Sequence, residues 1–314
     1  MGFDALLRES AGCWSETVWE RAPIEIDGPE FDQLAIRFAQ YHMRLMVPAH
    51  DNRMNIGAKG LSGEGYKGHV FWDTEIFLLP YFIFNMPEIA RSLEEYRYRS
   101  LPGAHAKAAR GGYQGSQFPW ESAWLDDGEV TPEYMGTDVV TGQLIKVWSG
   151  FIEIHITADV AYGVWQYYQC TGDQDFMDRY GYALILDCAS FWSSRLEPGE
   201  DGLLHINDVV GPDEYKEHVD DNAFTNYMAR WTIQKALDYG AELYAGLDQK
   251  LGLTDLLPLW AEQAERMFLT RPNKEGVLPQ DAACLTLKDI DLSKYKGQAH
   301  AGGIYKDYNQ EQIT

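Results

Sequence analysis

Apolar residues along this chain recur mostly at helical spacing. Ile156, Val160, Val164 and Tyr167 step by four, four and three, which marks one stripe of a helix. The pattern predicts a helix over Gln143 to Cys170, closed by Thr171-Gly172-Asp173. Leu34, Ile36, Phe38, Tyr41, Met43 and Leu45 predict another over Phe31 to Val47, stopped by Pro48. Further helices are expected at Ile76 to Asn85, as a pair within Pro87 to Arg110, and at Phe176 to Leu196, Phe224 to Tyr244 and Leu257 to Phe268. The strand signal is confined to Leu203 to Ile206. Residues 1–30 read as an irregular lead-in with one short helix near Trp14, Val18 and Trp19. The tail from Arg271 shows no clear period.

Two stretches interrupt the helices. Residues 49–70 read as loop, and so does Gly111 to Thr141, rich in Gly, Pro and acids. A connection that long inside a compact domain is usually functional. Helix pairs joined by loops of alternating length, with little strand, predict an all-α toroid.

The chain has 314 residues, 45% of them hydrophobic, as expected of a globular protein with one large domain or two ordinary ones. Its net charge of −22 argues against nucleic acid and anionic membrane as partners. Cys13, Cys170, Cys188 and Cys284 show no CxxC spacing, so they read as reduced thiols of a cytoplasmic protein. No signal peptide is read at Met1-Gly2-Phe3-Asp4, and the longest apolar run, Ile76 to Phe84, is too short to cross a bilayer. Tryptophan and tyrosine are plentiful. They serve as core filling or as stacking platforms for sugar rings.

The run Asn207 to Glu217 carries the most chemistry. Gly211-Pro212 signals a turn, and Glu214 follows it between an acid and an aromatic. Asp208, Asp213, Glu217, Asp220 and Asp221 crowd it in sequence, and burial beside Tyr215 would add to their effect. Both influences raise a carboxyl pKa, which suits a general acid. The competing reading is a set of acids capping the next helix. Asp73 is similarly two-sided. It is either the N-cap of the following helix or a ligand for two sugar hydroxyls, with Trp72 over an apolar sugar face. His155 and Asp159 share a helix face, but no third metal ligand stands at a recognisable spacing, so a hydrogen-bonded histidine near a pocket is expected. Gly63-Glu64-Gly65-Tyr66-Lys67-Gly68 fits GxGxxG without the βαβ context a dinucleotide site needs.

Several runs together resemble glycoside hydrolase family 65, the maltose, kojibiose and trehalose phosphorylases. They are the stretch Ala58 to Glu75, Phe118-Pro119-Trp120-Glu121-Ser122, His155-Ile156-Thr157-Ala158-Asp159, Gly211-Pro212-Asp213-Glu214-Tyr215, and Asn222 with Thr225-Asn226-Tyr227-Met228-Ala229. The resemblance implies an (α/α)6 barrel over residues 31–314, incomplete at its C-terminal end. On this resemblance the family's β-sandwich before the barrel and small β domain after it are expected to be absent. In relatives, the run resembling Tyr308 to Thr314 precedes a Lys-Gln pair that contacts substrate, with the phosphate loop further on. By the same resemblance Glu214 falls on the proton donor and Trp72 and Asp73 on the sugar-binding pair. Trp120, Glu121 and His155 fall in pocket-lining motifs. The implied reaction is inverting phosphorolysis of an α-glucosidic disaccharide to β-glucose 1-phosphate and glucose. Inorganic phosphate is the co-substrate, and no cofactor or metal is needed. An inverting hydrolase using water and an inactive sugar-binding remnant are the alternatives. The family's enzymes are usually dimers, which leaves a homodimer among the open assemblies. An incomplete toroid would also expose apolar helix faces and aggregate.

Overall fold

The computed structural model describes residues 2–60, 63–138, 142–243, 253–287 and 291–297. Thr141, Tyr244 and the run Tyr308 to Thr314 lie outside the described residues. Helix α1 (Phe3–Trp14) runs into a π turn at Ser15–Trp19, so the lead-in expected to be irregular is mainly helical. Helix α2 (Glu30–Met46) ends where expected, because Pro48 drives Val47 to extended backbone at φ −82°, ψ 129°. Its stripe faces outward, however. Leu34, Phe38 and Leu45 are exposed, and the only buried residue of α2 is Gln40, which donates to the Ala22 carbonyl at 2.7 Å.

A π turn at Thr74–Leu78 leads into α3 (Leu79–Asn85), followed by α4 (Pro87–Arg99) and α5 (Leu101–Arg110). Each of these three α-helices has proline in its first turn, where a missing N–H costs nothing. The long loop then holds β1 (Tyr134–Thr137), which pairs antiparallel with β2 (Leu144–Lys146). After the short α6 (Ser149–Ile152) comes α7 (Ile156–Thr171), closed by Gly172 in the left-handed conformation at φ 64°. The helix expected from Gln143 therefore starts thirteen residues late, at Ile156. The stripe that marked it lies wholly beyond the break, so it carried no information about Gln143 to His155.

Helix α8 (Gln174–Phe176), capped by Asp173, continues through a π turn into α9 (Tyr182–Arg195). Strands β3 (Glu197–Pro198) and β4 (Leu204–His205) form a small ribbon where the single strand was expected. Helix α10 (Ala223–Leu243) and helix α11 (Leu253–Arg266) follow. Helix α7 buries Ile156, Ala158, Val160, Ala161, Val164 and Tyr167, and it packs against α3, α4, α9 and α10. A helix apolar on nearly all sides belongs to the interior. Around it, α9 packs on α10 and α10 on α11, which gives an all-α architecture of the (α/α)6 toroid type. Among the described residues no helix is long and apolar enough to cross a membrane.

Candidate active site

Four loop segments meet near one end of α7, and each is tied down by hydrogen bonds. Arg97 of α4 is fully buried and holds Glu75 through two bonds of 2.6 and 2.8 Å. The same guanidinium donates to the Phe71 carbonyl at 3.1 Å, so the ion pair fixes the turn that carries Trp72 and Asp73. Asp73 occupies the N-cap position of the π turn, yet its side chain makes no cap hydrogen bond. The capping explanation for this acid therefore fails. Trp72 meets the His155 ring edge-on at 4.9 Å and lies 6.3 Å from Phe224.

An isolated bridge between Val70 and Ser122 joins that turn to the Trp120-Glu121 run. The Trp120 indole packs on Phe71 and donates through Nε1 to Glu214 Oε1 at 3.3 Å. Glu121 Oε1 lies 2.6 Å from His69 Nδ1.

His155 is wholly buried between two carboxylates, with Nδ1 2.7 Å from Asp159 and Nε2 3.2 Å from Glu153. Burial alone would lower its pKa, but Asp159 and then Glu153 outweigh that and raise it to about 9. At neutral pH His155 is thus a cation with both nitrogens donating. Glu153 is itself held above the usual carboxylate range, chiefly by burial.

The Glu214 loop is anchored by Val210 N–H on the Ile152 carbonyl at 3.1 Å and by the Val209–Val219 bridge. Glu214 is raised to about 7, first by burial and next by the like charge of Glu153. The Trp120 bond and the His155 charge offset part of this, while Asp73 adds to it. Burial acts as expected from sequence, but the like charges come from elsewhere. Asp208 pairs with His218, Asp221 with His205, and Tyr215 is largely exposed. The acids that act on Glu214 stand far from it along the chain.

A cavity of about 790 Å³ is lined by Trp120, Glu121, His69, Lys67, Lys146 and Glu214, among others, a size suited to a small ligand. Among the described residues, every non-glycine with positive φ sits in the two loops beside it: Tyr66, Lys67, Asp208, His218 and Asp221. Backbone strain of this kind gathers at functional sites. A second, apolar cavity of about 600 Å³ lies across the Gly211-Glu214 loop and includes Phe224 and Tyr227. Phe224 also packs edge-on against His155 at 5.3 Å.

Of the residues singled out in the sequence, Glu214, Trp120 and Glu121 share one cavity wall. Trp72 and Asp73 are not in that lining; Trp72 packs on His155, and the Asp73 charge raises Glu214. His155, expected in the lining, has no exposed surface; it lies behind the site, against Glu153, Trp72 and Phe224. Sequence reasoning missed Glu153, which the false helix over Gln143 to His155 concealed. It also missed Phe224 and Glu129. Glu129 looked like one more acid in an acid-rich loop, and nothing in the sequence distinguishes it. Among the described residues no group of His, Cys, Asp and Glu is placed to hold a metal ion.

The family model for the glycosyl hydrolase family 65 central catalytic domain matches residues 37–314. The chain belongs to glycoside hydrolase family 65. Within family 65 it is 48% identical over 323 residues to kojibiose phosphorylase of Halothermothrix orenii, covering 99% of this chain and 41% of that protein. It is 44% identical over 313 residues to kojibiose phosphorylase of Escherichia coli, covering 99% and 40%. The solved structure of a putative kojibiose phosphorylase from human microbiome superposes with a TM-score of 0.83 at 26% identity, over 100% of this chain and 44% of that one. The chain thus spans about 40% of the length of the curated family 65 relatives it matches.

Proposed function

We propose that this chain carries the general-acid centre of an inverting phosphorylase for an α-glucosidic disaccharide, with kojibiose as the first substrate to test. The Glu214 carboxyl, set on the cavity wall, bonded to Trp120 and raised to about 7, is the observation that carries this reading. Near neutral pH a large fraction of that carboxyl holds a proton, as an acid catalyst must. Glu214 gives the proton to the glycosidic oxygen as the C1–O bond breaks. Inorganic phosphate forms the new bond to C1 from the opposite face, and β-glucose 1-phosphate leaves with free glucose. An inverting hydrolase needs a second carboxylate to activate water. Phosphate is already an anionic nucleophile, so that base is dispensable, and the reaction calls for no cofactor or metal.

Trp72 and Asp73 hold the glucose ring that is transferred, and Trp120 with Glu121 faces the second sugar. The His155 cation, backed by Asp159, supports Glu153 beneath the acid. The kojibiose phosphorylases among the relatives support the choice of an α-1,2-linked disaccharide.

The test is phosphorus NMR of this chain incubated with kojibiose and inorganic phosphate. β-Glucose 1-phosphate should accumulate, and Glu214→Gln should lower the rate by about 10²–10⁴. Turnover that continues without phosphate would replace phosphorolysis by hydrolysis. Full activity of Glu214→Gln would remove the acid from the mechanism.

A further inference from the structure

The wall that carries Trp120 is held by a residue outside the machinery described so far. Glu129 stands in the acid-rich loop after α5, with its side chain only 12% exposed. Its Oε2 accepts the Trp120 backbone N–H at 2.9 Å, and its Oε1 accepts that of Glu121 at 3.1 Å. Oε1 also takes the Thr131 hydroxyl at 2.7 Å and the Thr131 N–H at 3.3 Å. Behind it, the buried Lys107 ammonium of α5 pairs with Oε2. Two successive N–H groups on one ionised carboxylate form a charge-assisted clamp, about twice as strong as neutral hydrogen bonds.

Lys107 and Glu129 border a separate cavity of about 420 Å³, which reaches Gln117, Gly150 and Phe151. Beyond the Lys107 ion pair lies open space, so polar contacts do much to set the backbone position there. On the other side of the same backbone, the Trp120 indole reaches Glu214.

We propose that Glu129, neutralised by Lys107, is the positioning residue that fixes the Trp120-Glu121 wall and, through the Trp120 indole, the direction of the Glu214 carboxyl. The kinetic part of this proposal rests on the phosphorolysis reading; the geometric part does not. Removing the clamp lets the wall relax toward the cavity behind it. A displacement near 1 Å in a catalytic constellation costs about 10²-fold in rate.

The decisive experiment labels the tryptophan indoles of the whole chain with ¹⁵N and follows their N–H resonances with pH, with Trp120 assigned by its loss in Trp120→Phe. In the wild type the Trp120 resonance should move with a midpoint of about 7, because its hydrogen bond ends on Glu214. In Glu129→Gln that step should vanish or shrink, while the other indole resonances stay put. Glu129→Asp keeps the charge for Lys107 and reaches only one N–H, so it should retain an intermediate step. It also serves as the variant to read if Glu129→Gln fails to fold.

In parallel, kcat with kojibiose and phosphate should fall about 10–100-fold in Glu129→Gln. The double variant with Trp120→Phe should be no slower than the worse single variant, since residues in one chain of contacts do not act additively. An unchanged Trp120 step, or strictly additive losses, would overturn the proposal. If the wild type makes no β-glucose 1-phosphate yet the Trp120 step responds to Glu129, the phosphorolysis reading fails and the positioning role stands.

Discussion

Glu214 owes its raised pKa first to lost water and then to the neighbouring Glu153 carboxyl. A general acid works only while protonated, so kcat/KM should hold below pH 7 and fall as pH rises through about 7. Glu153→Gln removes the like charge. The Glu214 pKa then drops toward its ordinary value, and the alkaline limb of the pH–rate profile moves to lower pH. A profile unchanged in Glu153→Gln would show that Glu153 does not act on the acid. At this scale the sequence revealed the catalytic candidate but not its environment. Gly211-Pro212 marks a turn whose acids equally suit a helix cap, and the family resemblance singles out Glu214, whereas Glu153 and Asp73 come from distant segments that only the fold brings close. Of the acids adjacent in sequence, Asp221 and Asp208 turn out to be occupied by His205 and His218.

Helix α10 and the acid loop share a side chain. Asn222 accepts from the Thr225 N–H at 3.0 Å, capping the helix, and its amide donates to the Gln280 carbonyl at 3.2 Å. A Cβ on Gly211 would sit 2.2 Å from the Asn222 amide nitrogen. Gly211→Ala must therefore displace Asn222, and loss of an N-cap costs about 0.5–2 kcal/mol. The acid two residues past Pro212 moves with it, so activity should fall further than the loss of stability accounts for. Gly12→Ala is the contrast. Nothing lies within 4 Å of a Cβ there, on a helix, and the change should stabilise by about 0.5–1 kcal/mol. Thermal unfolding of both variants, with turnover of the first, checks the pair. The same packing logic explains which elements were legible. Helices α7, α9 and α10 repeat apolar residues because they are buried, and they were readable. The β1–β2 hairpin is exposed at Met135, Leu144 and Ile145, so no buried stripe marked it. Helix α2 kept its bounds but turns its apolar stripe outward.

Across the whole molecule, ionisable groups are buried in a chain from the core to the site: Glu94, Glu75 with Arg97, Asp159, His155 and Glu153. None of this shows in composition, because a formal charge of −22 does not say which acids are inside. Burial raises Glu94, Glu153 and Asp159, and flanking carboxylates raise His155 to about 9. In each case the folded state holds its proton more tightly than the unfolded chain does. For His155 the stabilisation is complete below its unfolded value near 6.5 and is lost as pH rises through about 9. The raised acids act in the same direction, since the folded state resists their ionisation. The thermal midpoint should therefore fall from pH 6.5 to pH 9. Repulsion among surface acids predicts a fall too, but about 1 M salt shortens the Debye length to about 3 Å and removes most of it. Buried groups are screened far less, so the fall should persist in high salt and flatten in His155→Asn. A midpoint independent of pH in 1 M salt would mean that the buried chain carries no net proton linkage.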